Sequence, residues 1–542
     1  KRCEERVNDE MSDKAAENVV VLDGESLSTA TLYRLGHERE GLSIRLSDAA
    51  WERVRASRGV VDGIVESGAV VYGVSTGFGK FSQVHIPEAQ RKLLQENLIR
   101  SHACGVGAPL PLEIARMMLA LRINILAKGY SGISEDTLSK LIAAWNADCI
   151  SYVPEKGTVG ASGDLAPLSH LALGLLGEGK VWDPDTKSYG CAAEVLKKHN
   201  LKTLQLREKE GLALINGTQF ITSIGSVCVE RAKILLRTAD VAGALSLEGL
   251  RGSTSPFNPK IHAARPHSGQ GKTAARLRAL LNSETYPSEI AQSHVACGTV
   301  QDPYTLRCMP QVHGVTHDTI EFVAGVLNTE INSATDNPMV FAEDDRLLSC
   351  GNFHGEYPAK VCDYLTISVQ ELANISERRI ERLMNPDLSQ LPAFLVVDGG
   401  LNSGFMISHC TAAALTSENK TLCYPGSSDT LSTSSAKEDH VSMGGWAARK
   451  CLEVIRNVET VIAIEIMCAV QAVDLLKDLG NGAKSTEPLM AVHKLVRDVV
   501  PYMDRDRYLA PDIDAIVELV RSGKVWRTVE PYLRKIPGDQ HL

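Results

Sequence analysis

The sequence predicts a mainly α-helical protein: a large bundle of long helices, with a smaller mixed part on the N-terminal side that carries a loop of very small residues. Apolar residues recur at helical spacing over several long segments, strand-like runs are few, and glycine and serine gather in short places between the helical stretches. At 542 residues the chain exceeds the ~250–300 at which a single core stops growing, so more than one packed unit is expected.

Residues 1–18 are charged, lack apolar periodicity and read as a disordered tail. Residues 19–230 form the expected N-terminal domain. It opens with Val19-Val20-Val21-Leu22, a short strand closed by the turn pair Asp23-Gly24. Pro111 to Lys128 predicts a helix with proline in its first turn and Gly129 placed for the left-handed closing conformation. Residues 231–542 are expected to hold the long-helix bundle and the C-terminal helices. There the apolar series Val361, Leu365, Val369, Leu372, Ile375, Ile380, Leu383 follows Pro358 and stops at Asn385-Pro386. Met443 to Leu476 reads as a helix so apolar that it needs neighbours on several sides. The small residues cluster at Tyr72 to Gly79, Gly157 to Gly163, Gly351 to Gly355 and Gly399 to Gly404, as loops of the kind that display chemistry.

Composition narrows the function classes. The 57 Lys+Arg against 66 Asp+Glu give a net charge of -9 without a long basic run, which argues against a nucleic-acid partner. The longest apolar stretch, Val461 to Leu476, is interrupted by Glu465, Gln471 and Asp474, short of the ~18 apolar residues of a spanning helix, so no membrane partner is expected. The 13 cysteines form no CxxC pair, which suits free thiols and a cytoplasmic location. Despite 15 histidines there is no HExxH or Cys/His ligand spacing, and no metal is expected.

The chemistry lies in Ala161-Ser162-Gly163. Three very small residues between Gly160 and Asp164 permit an unusually tight backbone. If the Gly163 amide nitrogen is pressed onto the Ala161 carbonyl carbon, a five-membered ring can close with loss of water. Loss of the Ser162 hydroxyl as a second water leaves a methylidene conjugated to the ring carbonyl, a 4-methylideneimidazol-5-one. Gly163 offers an unhindered nitrogen, Ala161 leaves room for closure and Ser162 supplies the leaving group. No dissociable cofactor is needed.

The continuation Asp164-Leu165-Ala166-Pro167-Leu168-Ser169-His170 makes the string resemble the signature of the aromatic amino acid lyase family. In the same order, Tyr72-Gly73-Val74-Ser75-Thr76-Gly77-Phe78-Gly79, Asn216-Gly217-Thr218-Gln219, Gln301-Asp302-Pro303-Tyr304-Thr305-Leu306-Arg307 and Gly351-Asn352-Phe353-His354-Gly355-Glu356 resemble family motifs. The likeness runs from about Val19 to Tyr532. It implies a carbon–nitrogen lyase that forms the methylideneimidazolone from its own chain. It also implies a homotetramer whose active sites combine loops of different subunits.

By that resemblance, Tyr72 exchanges a proton with the substrate from its glycine-rich loop, and Tyr304 and Asn216 line the electrophile and hold developing negative charge. Arg307 clamps the substrate carboxylate with its guanidinium fork. Gln301 orients the substrate and Phe353 walls the pocket. Pro303 departs from the family pattern, where alanine or another non-proline residue is usual. Two places resemble members that act on L-histidine, giving trans-urocanate. Ser101-His102 is a polar pair where benzenoid-specific members carry Phe-Leu or His-Leu, and Glu438 stands where those members carry glutamine. A carboxylate accepts an imidazole N–H, and leaving it unpaired beside a benzenoid ring would cost roughly 1–3 kcal/mol. Glu438 could also relay the β-proton, so the role the resemblance implies is divided between ring binding and base.

The rival readings are another aromatic amino acid ammonia-lyase or a 2,3-aminomutase of the same family. A serine hydrolase is a remote alternative through Gly73-Val74-Ser75-Thr76-Gly77, which matches a nucleophile elbow but lacks the alternating α/β pattern an elbow needs.

Overall fold

The computed structural model describes residues 18–282, 284–295, 300–479 and 482–534. The expected tail lies almost wholly outside these residues. The protein is mainly α-helical, and among the described residues the strands form four two-stranded ladders. Val19–Leu22 is the predicted first strand; it pairs in parallel with Ser43–Leu46, with Val20 opposite Ile44.

The chain divides into two compact units, one of residues 1–227, 324–362 and 425–449 and the other of residues 228–323, 363–424 and 450–542. A single boundary near residue 230 therefore marks only the first exit from the N-terminal unit. Residues 324–362 and 425–449 return to it, because secondary-structure periodicity carries no record of which later segments pack back on earlier ones.

In the first unit, the helix Leu112–Leu126 is buried from Ile114 to its end and packs against Thr29–His37. Pro111 precedes it, and Gly129 follows at φ +79, where a Cβ would fall 2.6 Å from Arg53 Cβ. Three further helices, Arg91–His102, Leu165–Leu175 and Glu210–Ile215, pack on one another pairwise. His102 ends the first, the Ala161-Ser162-Gly163 loop leads into the second, and Asn216 follows the third.

The longest helices are Gln219–Gly249, Met309–Glu330, Glu356–Met384 and Gly444–Leu479. The third contains the predicted apolar series and ends before Asn385-Pro386; the fourth matches the predicted segment from Met443. In the second unit the polar interruptions of that last helix are satisfied internally. The fully buried Glu465 carboxylate accepts from Arg379 Nε at 2.5 Å and Nη2 at 2.9 Å, and from the Ser246 and Ser376 hydroxyls at 2.6 Å each. Gln471 donates to the carbonyls of Leu395 and Met503, and Asp474 pairs with His493 and Arg497. Among the described residues no helix is long and apolar enough to cross a membrane.

Candidate active site

A cavity of about 1090 Å³ in the first unit brings together Tyr72, His102, Ser162, Asn216 and Glu438, five of the residues singled out in the sequence. The small-residue loop enters it under tight constraint. Gly163 has φ +84, and a Cβ there would lie 2.4 Å from the Gly217 carbonyl oxygen and 2.6 Å from the Gly217 nitrogen. The two glycines are bridged, and the Asp164 N–H donates to Gly217 O at 2.7 Å. Only glycine fits at either position, since Gly217 has φ +148 and its Cβ would meet Gln219 and Arg122. Ala161 is buried and Ser162 is half-buried, facing the cavity.

The Ser162 hydroxyl donates to Glu438 Oε1 at 2.5 Å, and Thr433 Oγ1 donates to Glu438 Oε2 at 2.8 Å. Between Thr433 and Glu438 the residues Ser434, Ser435 and Ala436 all have positive φ, 55°, 54° and 61°. A left-handed turn of three non-glycine residues costs of order 1–3 kcal/mol per residue, so the surrounding contacts must hold it in place. The two ends of that turn are tied by Thr433 N to Glu438 O at 2.9 Å.

His102 Nδ1 lies 2.9 Å from the Leu98 carbonyl and 3.0 Å from Ser101 Oγ. A carbonyl can only accept, so Nδ1 carries the hydrogen and Nε2 remains an acceptor. Burial moves the His102 pKa below the usual imidazole value, opposed by the Leu98 hydrogen bond and the Glu438 charge. Tyr72 stacks edge-on against Phe78 with ring centroids 6.4 Å apart, and its hydroxyl accepts from Gly79 N at 3.4 Å. Asn216 is buried, with Nδ2 donating to Asn337 O at 3.1 Å.

Beneath the loop lies a carboxyl to which the sequence reading gave no role. Asp164 is fully buried and accepts from the N–H groups of Phe220 and Ile221 at 3.0 Å each, yet burial pushes its pKa up to about 7. Arg122 was likewise passed over. Its signal was a charged residue inside the buried helix Leu112–Leu126, and its guanidinium donates to Asn216 O at 2.6 Å and to Gln219 Oε1 at 2.9 Å.

The remaining predicted residues do not line this cavity. Phe353 is half-buried in the turn closed by His354 N to Gly351 O. Gln301 and Arg307 belong to the second unit, where they line a different cavity of about 880 Å³. Tyr304, in the same unit, is 71% exposed, and its ring lies under the Arg307 guanidinium carbon at 4.6 Å. Arg307 Nε is buried with no hydrogen-bond partner among the described residues. Pro303 is accommodated: at φ -63 it caps the short helix Tyr304–Arg307, its carbonyl accepting from Leu306 and Arg307 at 3.1 Å.

Two other constellations involve residues of the motif loops. Ser75, the would-be elbow nucleophile, is buried and bonded to the Ala69 carbonyl and the Val71 N–H, with no strand leading into it. His354, Glu356 and His440 bring potential ligand atoms within 4.8 Å of one another, but Lys360, 3.1 Å from Glu356, already supplies a cation there.

The family model "Aromatic amino acid lyase" matches residues 27–498. The histidine ammonia-lyase of Bos taurus is 60% identical over 519 residues, covering 96% of this chain and 78% of its own length. The crystal structure of histidine ammonia-lyase from Trypanosoma cruzi superimposes with a TM-score of 0.87 at 53% identity, covering 95% of each chain. The tyrosine aminomutase of Streptomyces globisporus also gives a TM-score of 0.87, at 36% identity, with coverage of 96% of this chain and 99% of that one.

Proposed function

The chain belongs to the aromatic amino acid lyase family, and from that premise we propose that it removes ammonia from L-histidine without oxidation, giving trans-urocanate. The observation that carries the reading is the pairing of Ser162 with Glu438 in a cavity shared with His102. The 60% identity to the Bos taurus histidine ammonia-lyase and 53% to that of Trypanosoma cruzi point the same way.

The residues present fit a methylideneimidazolone made from Ala161-Ser162-Gly163. The absence of room for any side chain at Gly163 and its close seating on Gly217 are what ring closure of that tripeptide requires. Once formed, the group supplies an electrophilic carbon that turns the substrate amine into a better leaving group.

The chain's own residues do the rest. Neutral His102 carries an Nε2 acceptor and Glu438 a carboxylate, and either can accept the single N–H of a neutral imidazole ring. Glu438 is also placed to take the β-proton, and Tyr72 supplies a second proton-exchanging group on the facing glycine-rich loop. Asn216 is a donor at the wall beside Ser162. Gln301, Tyr304 and Arg307 act, in this reading, on the cavity of another copy within a homotetramer. In that role the planar guanidinium fork of Arg307 suits a substrate carboxylate. Phe353 acts as a wall. The scattered cysteines, without a CxxC pair, suit a cytoplasmic enzyme.

The test is incubation with L-histidine, L-phenylalanine and L-tyrosine, following ammonia and the absorbance of the α,β-unsaturated product. Urocanate and ammonia from histidine alone support the reading. Preference for a benzenoid substrate, or a β-amino acid product as from an aminomutase, overturns it.

A further inference from the structure

We infer that Arg122 is a positioning residue for formation of the electrophile: its guanidinium clamps the 213–219 turn, and that turn seats Gly163 for ring closure. The inference rests on the methylideneimidazolone reading above.

The clamp is local and is made by the two terminal nitrogens, while the buried Nε has no hydrogen-bond partner among the described residues. Arg122 is 1% exposed, and its two terminal nitrogens reach three acceptors around one turn: the carbonyls of Ala213 and Asn216 and the side-chain oxygen of Gln219. Gln219 is held in turn by Thr335, its Nε2 donating to Oγ1 at 2.9 Å. The guanidinium occupies the space beside Gly217, where a Cβ would fall 2.7 Å from Nη1. Gly217 is the residue that bridges to Gly163 and accepts from Asp164 N. The chain of contact thus runs from Arg122 through Asn216-Gly217 to the backbone whose nitrogen must attack.

A rigid fork suits this task. Three acceptors around a turn need divergent donors in fixed directions, which a guanidinium has and an ammonium lacks. Burial lowers the Arg122 pKa only to about 10, so it remains a cation at neutral pH and its bonds stay charge-assisted. A purely structural role predicts something different. Loss of the clamp would then reduce the yield of folded protein but leave every folded molecule cyclised.

The experiment compares wild type, Arg122→Lys and Gln219→Met by the mass of the proteolytic peptide containing Ala161-Ser162-Gly163, taken only from folded protein, with thermal unfolding recorded in parallel. The wild-type peptide is expected to lack two waters. In folded Arg122→Lys the fraction lacking two waters should fall at least tenfold. Gln219→Met, which leaves the guanidinium two of its three acceptors, should show a smaller, measurable loss and serves as the readout if Arg122→Lys does not fold. Complete loss of two waters in the folded variants overturns the role of Arg122. An uncyclised wild-type peptide overturns the reading on which it rests.

Discussion

The Ser162 hydroxyl donates to the Glu438 carboxylate across 2.5 Å, joining residues 276 positions apart in the chain. In the proposed reaction, one would be the source of the electrophile and the other a group that selects and deprotonates the substrate. Their contact ties the proposed centre together more tightly than either motif does alone.

Ser162→Ala should abolish turnover while leaving the fold intact, because alanine has no hydroxyl to lose. Ring closure is scored separately: the variant peptide can lose at most one water. Substantial urocanate production with a wild-type unfolding temperature would remove the electrophile from the mechanism.

Glu438→Gln should lower kcat/KM for L-histidine by more than ~10-fold, or about 1.4 kcal/mol of transition-state stabilisation. The amide keeps the shape but loses charge and proton affinity. Steady-state kinetics with L-histidine reads the loss, and unchanged constants would make Glu438 a bystander.

His102 makes stability acid-sensitive. Its folded pKa lies below the ordinary imidazole value, chiefly through burial, so the unfolded chain binds the proton more readily. The penalty is absent above the unfolded value of about 6.5 and grows as pH falls from there toward the folded pKa. His102→Asn should therefore lose less stability between pH 8 and pH 5 than wild type does. Parallel melting curves at the two pH values test this, and equal losses count against it.

Glu465→Gln should destabilise the second unit by about 3–5 kcal/mol, because it leaves the fully buried Arg379 guanidinium without its counter-charge. The double variant Arg379→Met, Glu465→Leu should recover much of that loss. Denaturant unfolding distinguishes the two, and a double variant as unstable as the single one would contradict the electrostatic account.

How much of this was legible beforehand depends on the range of the signal. The helices Glu356–Met384 and Gly444–Leu479 were readable because their apolar spacing repeats within a few residues and their ends carry proline or glycine. Arg122 and Asp164 were not, because a buried charge is explained only by its partners, and those are the carbonyls of Ala213 and Asn216 and the N–H groups of Phe220 and Ile221.

By itself the sequence determined the helical class, and it singled out the tripeptide proposed to cyclise and the groups proposed to bind an imidazole. The tertiary structure alone decided that residues 324–362 and 425–449 return to the first unit, setting Glu438 on Ser162, and that Gln301, Tyr304 and Arg307 belong to the second unit and do not line that cavity. The physical reason is that periodicity and turn chemistry are local, whereas the pairing of distant segments depends on the burial and hydrogen bonding of the folded whole.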